Sequence, residues 1–161
     1  MRIELRKIDS VRPYENNPRQ NDNAVDAVAN SLKEFGFRQP IVVDEAGVII
    51  VGHTRWKAAK KLGLAKVPVH VARDLPPDKI KAYRIADNQI ATLAEWDFDL
   101  LPIELKELQA ANFDLATLGF DASELNLLLH PTGAQGLTDP DDVPAPPDAA
   151  VTRPGDLWIL G

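Results

Sequence analysis

The spacing of apolar residues changes from segment to segment along this chain, and each change marks an element. Ile3 to Ile8 alternates with period two and predicts a first strand, with Ile3 and Leu5 on one face. From Asp22 the period becomes helical: Val25, Val28, Ala29, Leu32 and Phe35 fall on one buried face, and Gly36 ends the helix. Ile41-Val42-Val43 is a second strand, Glu45-Ala46-Gly47 a hairpin-like turn, and Val48 to Val51 a third strand. Its four consecutive β-branched residues suit a strand covered on both faces. Gly52 then turns the chain into a short basic helix, for which Thr54 is the expected cap and Gly63 the stop. Val67 to Val71 is another short strand, placed at an edge or a strand start by Pro68. His70 faces away from Val69 and Val71, so it is expected exposed or half-buried. No second ligand close in sequence gives it a metal role.

Pro76-Pro77-Asp78 is a helix-start signal. In the helix over 78–93, Tyr83, Ala86, Ile90 and Leu93 share an apolar face, while Arg84, Asp87, Asn88 and Ala91 share a polar one. Past residue 95, Asp97 should cap a helix that buries Phe98, Leu101, Leu105 and Leu108. Gly119 stops a compact connector, and Asp121 opens a last helix carrying Leu125, Leu128 and Leu129. This unit is acidic and leucine-patterned, which predicts no helix-turn-helix DNA reader there. Residues 131–150 hold five prolines, two glycines and four aspartates with almost no large apolar side chain, the composition of a disordered linker. Residues 151–161 turn apolar again, as the start of a downstream folded segment would. The expected organisation is a first domain over 1–95, a helical extension over 96–130, the linker, and that downstream start. The fold class is α+β, a small mixed sheet with helices packed on it.

Composition narrows the function classes. At 161 residues and 45% hydrophobic, the chain can bury one sizeable core. It has no apolar run long enough to span a membrane and no secretory signal at Met1-Arg2-Ile3-Glu4-Leu5, so a cytoplasmic protein without a membrane partner is expected. With no cysteine there is no disulfide framework, thiolate zinc site or cysteine nucleophile. The net charge of −6 hides an asymmetry. The first 75 residues carry 13 Lys and Arg against 9 Asp and Glu, and the remainder carry 5 against 15. An anionic partner suits the first half only.

Three polar clusters interrupt this scaffold: Asn17-Pro18-Arg19, Gly52-His53-Thr54-Arg55, and Arg84 with Asp87-Asn88-Gln89. At the second, a helix start offers free N–H groups beside a glycine turn and a guanidinium, which is how phosphate oxygens are held. A plain strand–turn–helix with a solvated basic face has the same local pattern.

In this order, and with the segment Phe35-Gly36-Phe37-Arg38-Gln39-Pro40, the clusters resemble the N-terminal domain of the ParB/sulfiredoxin superfamily over about Ile8 to Leu93. The resemblance implies a ParB/sulfiredoxin-like fold that binds a nucleoside triphosphate, CTP or ATP, with Mg²⁺ and associates with DNA. It assigns phosphate contacts to Gly52, His53, Thr54 and Arg55, with Arg19 as a second cation on the Asn17 turn. Gln39 and Gly36 would surround the nucleotide, with Arg84 in the same set. Asp87, Asn88 and Gln89 would serve turnover, Asn88 at the metal. The box reads Gly-His-Thr-Arg where partitioning proteins usually show Gly-Glu-Arg-Arg, and Asp87 stands where a glutamate is usual. The cysteine that sulfiredoxin chemistry needs at the place of His53 is absent. Lys57, Lys60 and Lys61 are the DNA-contacting candidates. The helical unit and the Pro-Gly-Asp-Leu-Trp-Ile-Leu-Gly segment resemble the N-terminal region of phage and prophage DNA methyltransferases. That implies an S-adenosylmethionine-dependent catalytic domain beyond Gly161. The alternative is a non-catalytic DNA-contacting or homodimerisation module that targets the methyltransferase.

Overall fold

The computed structural model describes residues 2–131. The expected linker over 131–150 and the expected downstream start over 151–161 lie outside these residues, Pro131 excepted. Four strands form one mixed sheet: β1 (Ile3–Lys7), β2 (Ile41–Val43), β3 (Ile49–Val51) and β4 (Lys66–Val71), in the order β1-β4-β2-β3. β4 is antiparallel to β1 and parallel to β2, and β2 is antiparallel to β3. Among the described residues five α-helices accompany the sheet: α1 (Val25–Phe35), α2 (His53–Lys61), α3 (Pro77–Ile90), α4 (Leu101–Ala110) and α5 (Ala122–Leu129). None of them is long and apolar enough to cross a membrane.

The core lies on one sheet face. Ile41, Val43, Ile49, Val67 and Val69 are wholly buried there with Ala59 of α2, and Trp56 and Phe37 close its rim. Ile3 and Leu5 share a face as expected, but it is the opposite one and both are exposed. Glu4 and Arg6 point toward the core side, half-buried and paired at 2.6 Å. An edge strand tolerates this arrangement because only its long polar side chains must reach water.

α1 runs on from a single 3-10 turn at Asp22–Ala24 and packs on α2. Its last apolar residue, Phe35, is partly exposed but stacks on Phe113 of the helical unit, with centroids 5.9 Å apart. That unit has its own core of Leu101, Leu105, Leu115 and Leu129. A capping box at Asp121 and Glu124 starts α5 as the sequence predicts. Asp97 caps the turn before α4 by accepting from the Asp99 and Leu100 amides. Phe98, expected in the core, lies outside it and is 67% exposed.

Three further expectations are corrected. Pro68 marks neither an edge nor a strand start: β4 lies between β1 and β2, and Pro68 is its third residue, just before the pairing with β2 begins at Val69. Val48 makes only an isolated bridge to Arg12, so β3 begins at Ile49. More consequentially, α3 sits the other way round. Arg84, on the polar face, is the buried residue of this helix, while Tyr83, Ile90 and Leu93 are exposed. The inward face of α3 packs along β3, where the main-chain carbonyl of Ile49 needs a donor, and Arg84 Nε supplies it at 3.0 Å. Hydrophobic spacing alone cannot anticipate a guanidinium chosen as the inward group.

Candidate functional site

β3 ends and α2 begins across one residue. Gly52 is the N-cap, with φ 104° and ψ 27°, and no side chain caps the helix. Thr54 therefore lies inside the first turn rather than at the cap. A Cβ at Gly52 would sit 3.2 Å from Arg55 Nη1 and 3.5 Å from Ile41, on a backbone conformation that side chains rarely adopt. The turn thus delivers three uncapped N–H groups and Arg55 to the same place. At its other end α2 closes with paired bonds from the Gly63 and Leu64 amides to the Lys60 and Ala59 carbonyls, as the sequence predicts.

These groups line a cleft of about 250 Å³. One wall is Gly52, His53, Thr54 and Arg55. The turn following Tyr14 contributes Asn17 and Arg19, and α3 contributes Asp87 and Asn88. A second hollow of about 470 Å³, lined by Phe35, Gly36, Arg38 and Gln39 among others, shares Val28 and Arg55 with the first. The two together give a charged compartment beside a more apolar one, with Arg55 between them.

Arg55 is anchored from the second hollow. Its guanidinium donates to Gln39 Oε1 and, at 3.4 Å, to the Pro40 carbonyl. Burial lowers its pKa from the ordinary value and the Asp87 carboxylate opposes the shift, so the guanidinium stays charged. Arg19 reaches α3, donating to the Asn88 carbonyl at 3.2 Å. The Asn17 side chain bonds the main chain of Arg19 at both ends, which fixes its approach.

His53 is buried and its Nε2 accepts the Tyr14 amide at 3.2 Å, so Nδ1 carries the proton. Burial first, then the charges of Arg84 and Lys57, push its pKa from 6.5 down to about 4. It is a neutral lining group, not a third cation. With Arg19 and Arg55 against Asp87, the cleft is net positive.

The expected site residues divide. Asn17, Arg19, Gly52, His53, Thr54, Arg55, Asp87 and Asn88 meet in one cleft, and Gly36 and Gln39 line its neighbour. Gln89 is exposed and lines neither. Arg84 lies behind the cleft, packed against Tyr14 and bonded to β3. Of the lysines expected on DNA, Lys57 pairs with Asp22 at 2.6 Å and Asn21 at 2.9 Å, and Lys61 pairs with Asp26. Lys60 lies over the Trp56 ring at 4.7 Å. Sequence reasoning missed Tyr14 and Asn21; the aromatic ring in a proline- and asparagine-rich turn was the available signal.

Among the described residues no three acidic or histidine side chains gather to hold a metal. Among the described residues Asp87 supplies the one carboxylate lining the cleft, and Asn88 commits its amide nitrogen to the Arg84 carbonyl at 2.7 Å, which leaves its side-chain oxygen free. Such a sparse oxygen set fits Mg²⁺ that takes its remaining ligands from phosphates and water.

Comparison with known proteins follows the same outline. Residues 2–89 match the family model described as the ParB N-terminal domain, and residues 99–154 match the ParB-methyltransferase HTH domain. The second match overturns the expectation of no helix-turn-helix. Acidity describes the solvent face of α4 and α5, whereas the motif is a packing arrangement. The ParB-like nuclease domain-containing protein YnaK of Escherichia coli is 35% identical over 80 residues, covering 49% of this chain and 92% of that protein. The probable chromosome-partitioning protein ParB of Rickettsia felis is 39% identical over 69 residues, 42% of this chain and 24% of that one. The chain thus matches about a quarter of the length of its partitioning relatives. Among solved structures, C-terminally truncated ParB from Caulobacter crescentus, complexed with CTP-γ-S, shares the fold. Its TM-score is 0.66 at 24% identity, over 80% of this chain and 77% of that one.

The histidine gives a pH prediction. Its folded pKa lies below its unfolded one, so the unfolded chain binds more protons between about pH 6.5 and 4 and stability falls as pH drops through that window. Thermal unfolding across the window should show a loss of about 2–3 kcal/mol that His53→Gln removes. Parallel profiles for the two proteins would show that His53 is not held neutral.

Proposed function

The chain belongs to the ParB N-terminal domain family, and on that premise we propose that it binds a nucleoside triphosphate with Mg²⁺ as the regulatory module of a DNA methyltransferase. One observation carries the reading: the left-handed Gly52 turn brings an uncapped helix start and Arg55 to the junction of two adjoining hollows. The triphosphate takes the positive cleft, with the α2 amides and Thr54 on one side and Arg19 on the other. The nucleoside takes the hollow of Gly36 and Gln39. Arg55 spans both and meets phosphate oxygens as a charge-assisted donor. The ligand in the Caulobacter relative makes CTP the first nucleotide to test, and ATP the second.

Asp87 and the Asn88 oxygen would hold Mg²⁺, which neutralises phosphate charge and orients the terminal group. Hydrolysis would then rest on charge stabilisation by Arg19 and Arg55, with Asp87 the one carboxylate near enough to orient a water. Gln89 drops out of that set because it lines neither hollow.

A second reading, DNA contact without nucleotide, is favoured by the helix-turn-helix match over 99–154. Of the basic face of α2, only Lys60 lacks a carboxylate partner among the described residues.

Calorimetry and thermal shift with CTP, ATP and GTP, with and without Mg²⁺, test the first reading. At least one nucleotide should stabilise the protein, since binding raises stability in proportion to ln(1 + [L]/Kd). Arg55→Ala should abolish that shift while the free protein still unfolds cooperatively. No stabilisation by any nucleotide at millimolar concentration sinks the proposal. For the second reading, fluorescence anisotropy on duplex DNA should show binding that weakens steeply with salt and is reduced by Lys60→Glu. Undetectable binding in low salt rules it out.

A further inference from the structure

Arg84 is the charged group whose placement the cleft does not explain. It is 8% exposed, and taking a guanidinium out of water is costly unless its surroundings replace that water. Its replacements are specific. Nε donates to the Ile49 carbonyl at 3.0 Å, the planar head lies over the Tyr14 ring at 3.9 Å, and Asp44 stands 3.9 Å from Nη2. At that distance Asp44 is a weak partner, so the ring and the strand carbonyl carry the contact.

Tyr14 is in turn the hub of the loop that reaches the cleft. Its amide donates to His53 at the start of α2, and its carbonyl accepts the Asn17 amide at 3.2 Å. Asn17 clasps Arg19, and Arg19 donates to the Asn88 carbonyl. Asn88 Nδ2 returns to the carbonyl of Arg84. The contacts close a ring: Arg84, Tyr14, Asn17, Arg19, Asn88, Arg84. It ties β3, the start of α2, the 14–19 turn and α3 together behind the charged cleft.

We infer that Arg84 is a positioning residue. By clamping Tyr14 it fixes where Arg19 enters the cleft, without touching the bound anion itself. The inference rests on the nucleotide-binding reading for its consequence, and on the side-chain contacts alone for the clamp. A lysine keeps the charge but has neither the planar face nor an Nε–H in that position, so Arg84→Lys isolates the clamp. Substitution for stability would call for an apolar side chain here, since such replacements of buried ions are often neutral or better. A guanidinium instead selects one arrangement of the turn.

The experiment has two arms. In the free protein, amide hydrogen exchange of Arg84→Lys should rise about tenfold at Tyr14 and Asn17 while Val67 and Val69 in β4 keep their protection. In the nucleotide arm, CTP·Mg²⁺ affinity should fall about tenfold in Arg84→Lys, but no more than about twofold when the same change is made on an Arg19→Ala background, because the two residues act through one contact. Tyr14→Leu, which removes the other half of the stack, should reproduce both results if Arg84→Lys does not fold. Unchanged exchange at Tyr14 and Asn17, an equal rise throughout β4, or additive affinity losses with Arg19→Ala each overturn the inference. If the wild-type protein binds no nucleotide, the functional reading has failed, and the exchange arm by itself decides whether Arg84 holds the turn.

Discussion

One residue must end β3 and begin α2, and its backbone has to turn left-handed to do so. A Cβ at Gly52 would touch Ile41 in the neighbouring strand and crowd the Arg55 head, and the left-handed backbone itself disfavours any side chain there. That constraint sets the direction of α2, which in turn sets where its three free amides point and where Arg55 can lie. The core does the rest of the aiming. Ala58 and Ala59 are wholly buried, so the helix sits close on the sheet and cannot rotate to present another face. The cleft is therefore a by-product of how strand and helix pack, completed by two segments that arrive from elsewhere in the chain.

Those two segments arrive by different physics. The 14–19 turn is held by hydrogen bonds and by the Tyr14–Arg84 stack, with little apolar burial of its own. α3 buries a charge and turns Tyr83 and Ile90 outward. Each arrangement costs free energy that a purely structural element would avoid, and local departures of this kind collect at functional sites. The helical unit behaves differently. It is built from an ordinary leucine cluster and joins α1 through the Phe35–Phe113 stack, well inside the rules that govern any small helical core.

Legibility in the sequence follows the same division. Alternation and helical period located the four strands and five α-helices of the described residues, although in β1 and α3 the apolar face that the pattern picks out turns to solvent. Gly63, Gly119 and Asp121 were readable as caps since their chemistry is local. Most of the polar lining of the cleft, Asn21 apart, was also readable, through glycine and arginine at the strand–helix junction and the ParB-like order of motifs. What could not be read is long-range: that His53 would spend a ring nitrogen on Tyr14, and that Lys57 and Lys61 would be paired to Asp22 and Asp26 across 35 residues. The inversion of α3 is the clearest instance. Its spacing is amphipathic in either sense, and the bond from Arg84 to the Ile49 carbonyl is made with the polar face turned inward.

In the proposed site an anion meets the Gly52 turn, the Arg19 loop and the Asp87 end of α3 in a single cleft. Backbone amide NMR of the ¹⁵N-labelled protein, titrated with CTP·Mg²⁺, tests this most directly. The largest shifts should cluster at Gly52–Arg55, Asn17–Arg19 and Asp87–Asn88, and move together along one saturation curve. Shifts spread over the lysine face of α2 or over α4 and α5, with the Gly52 turn unmoved, would contradict it.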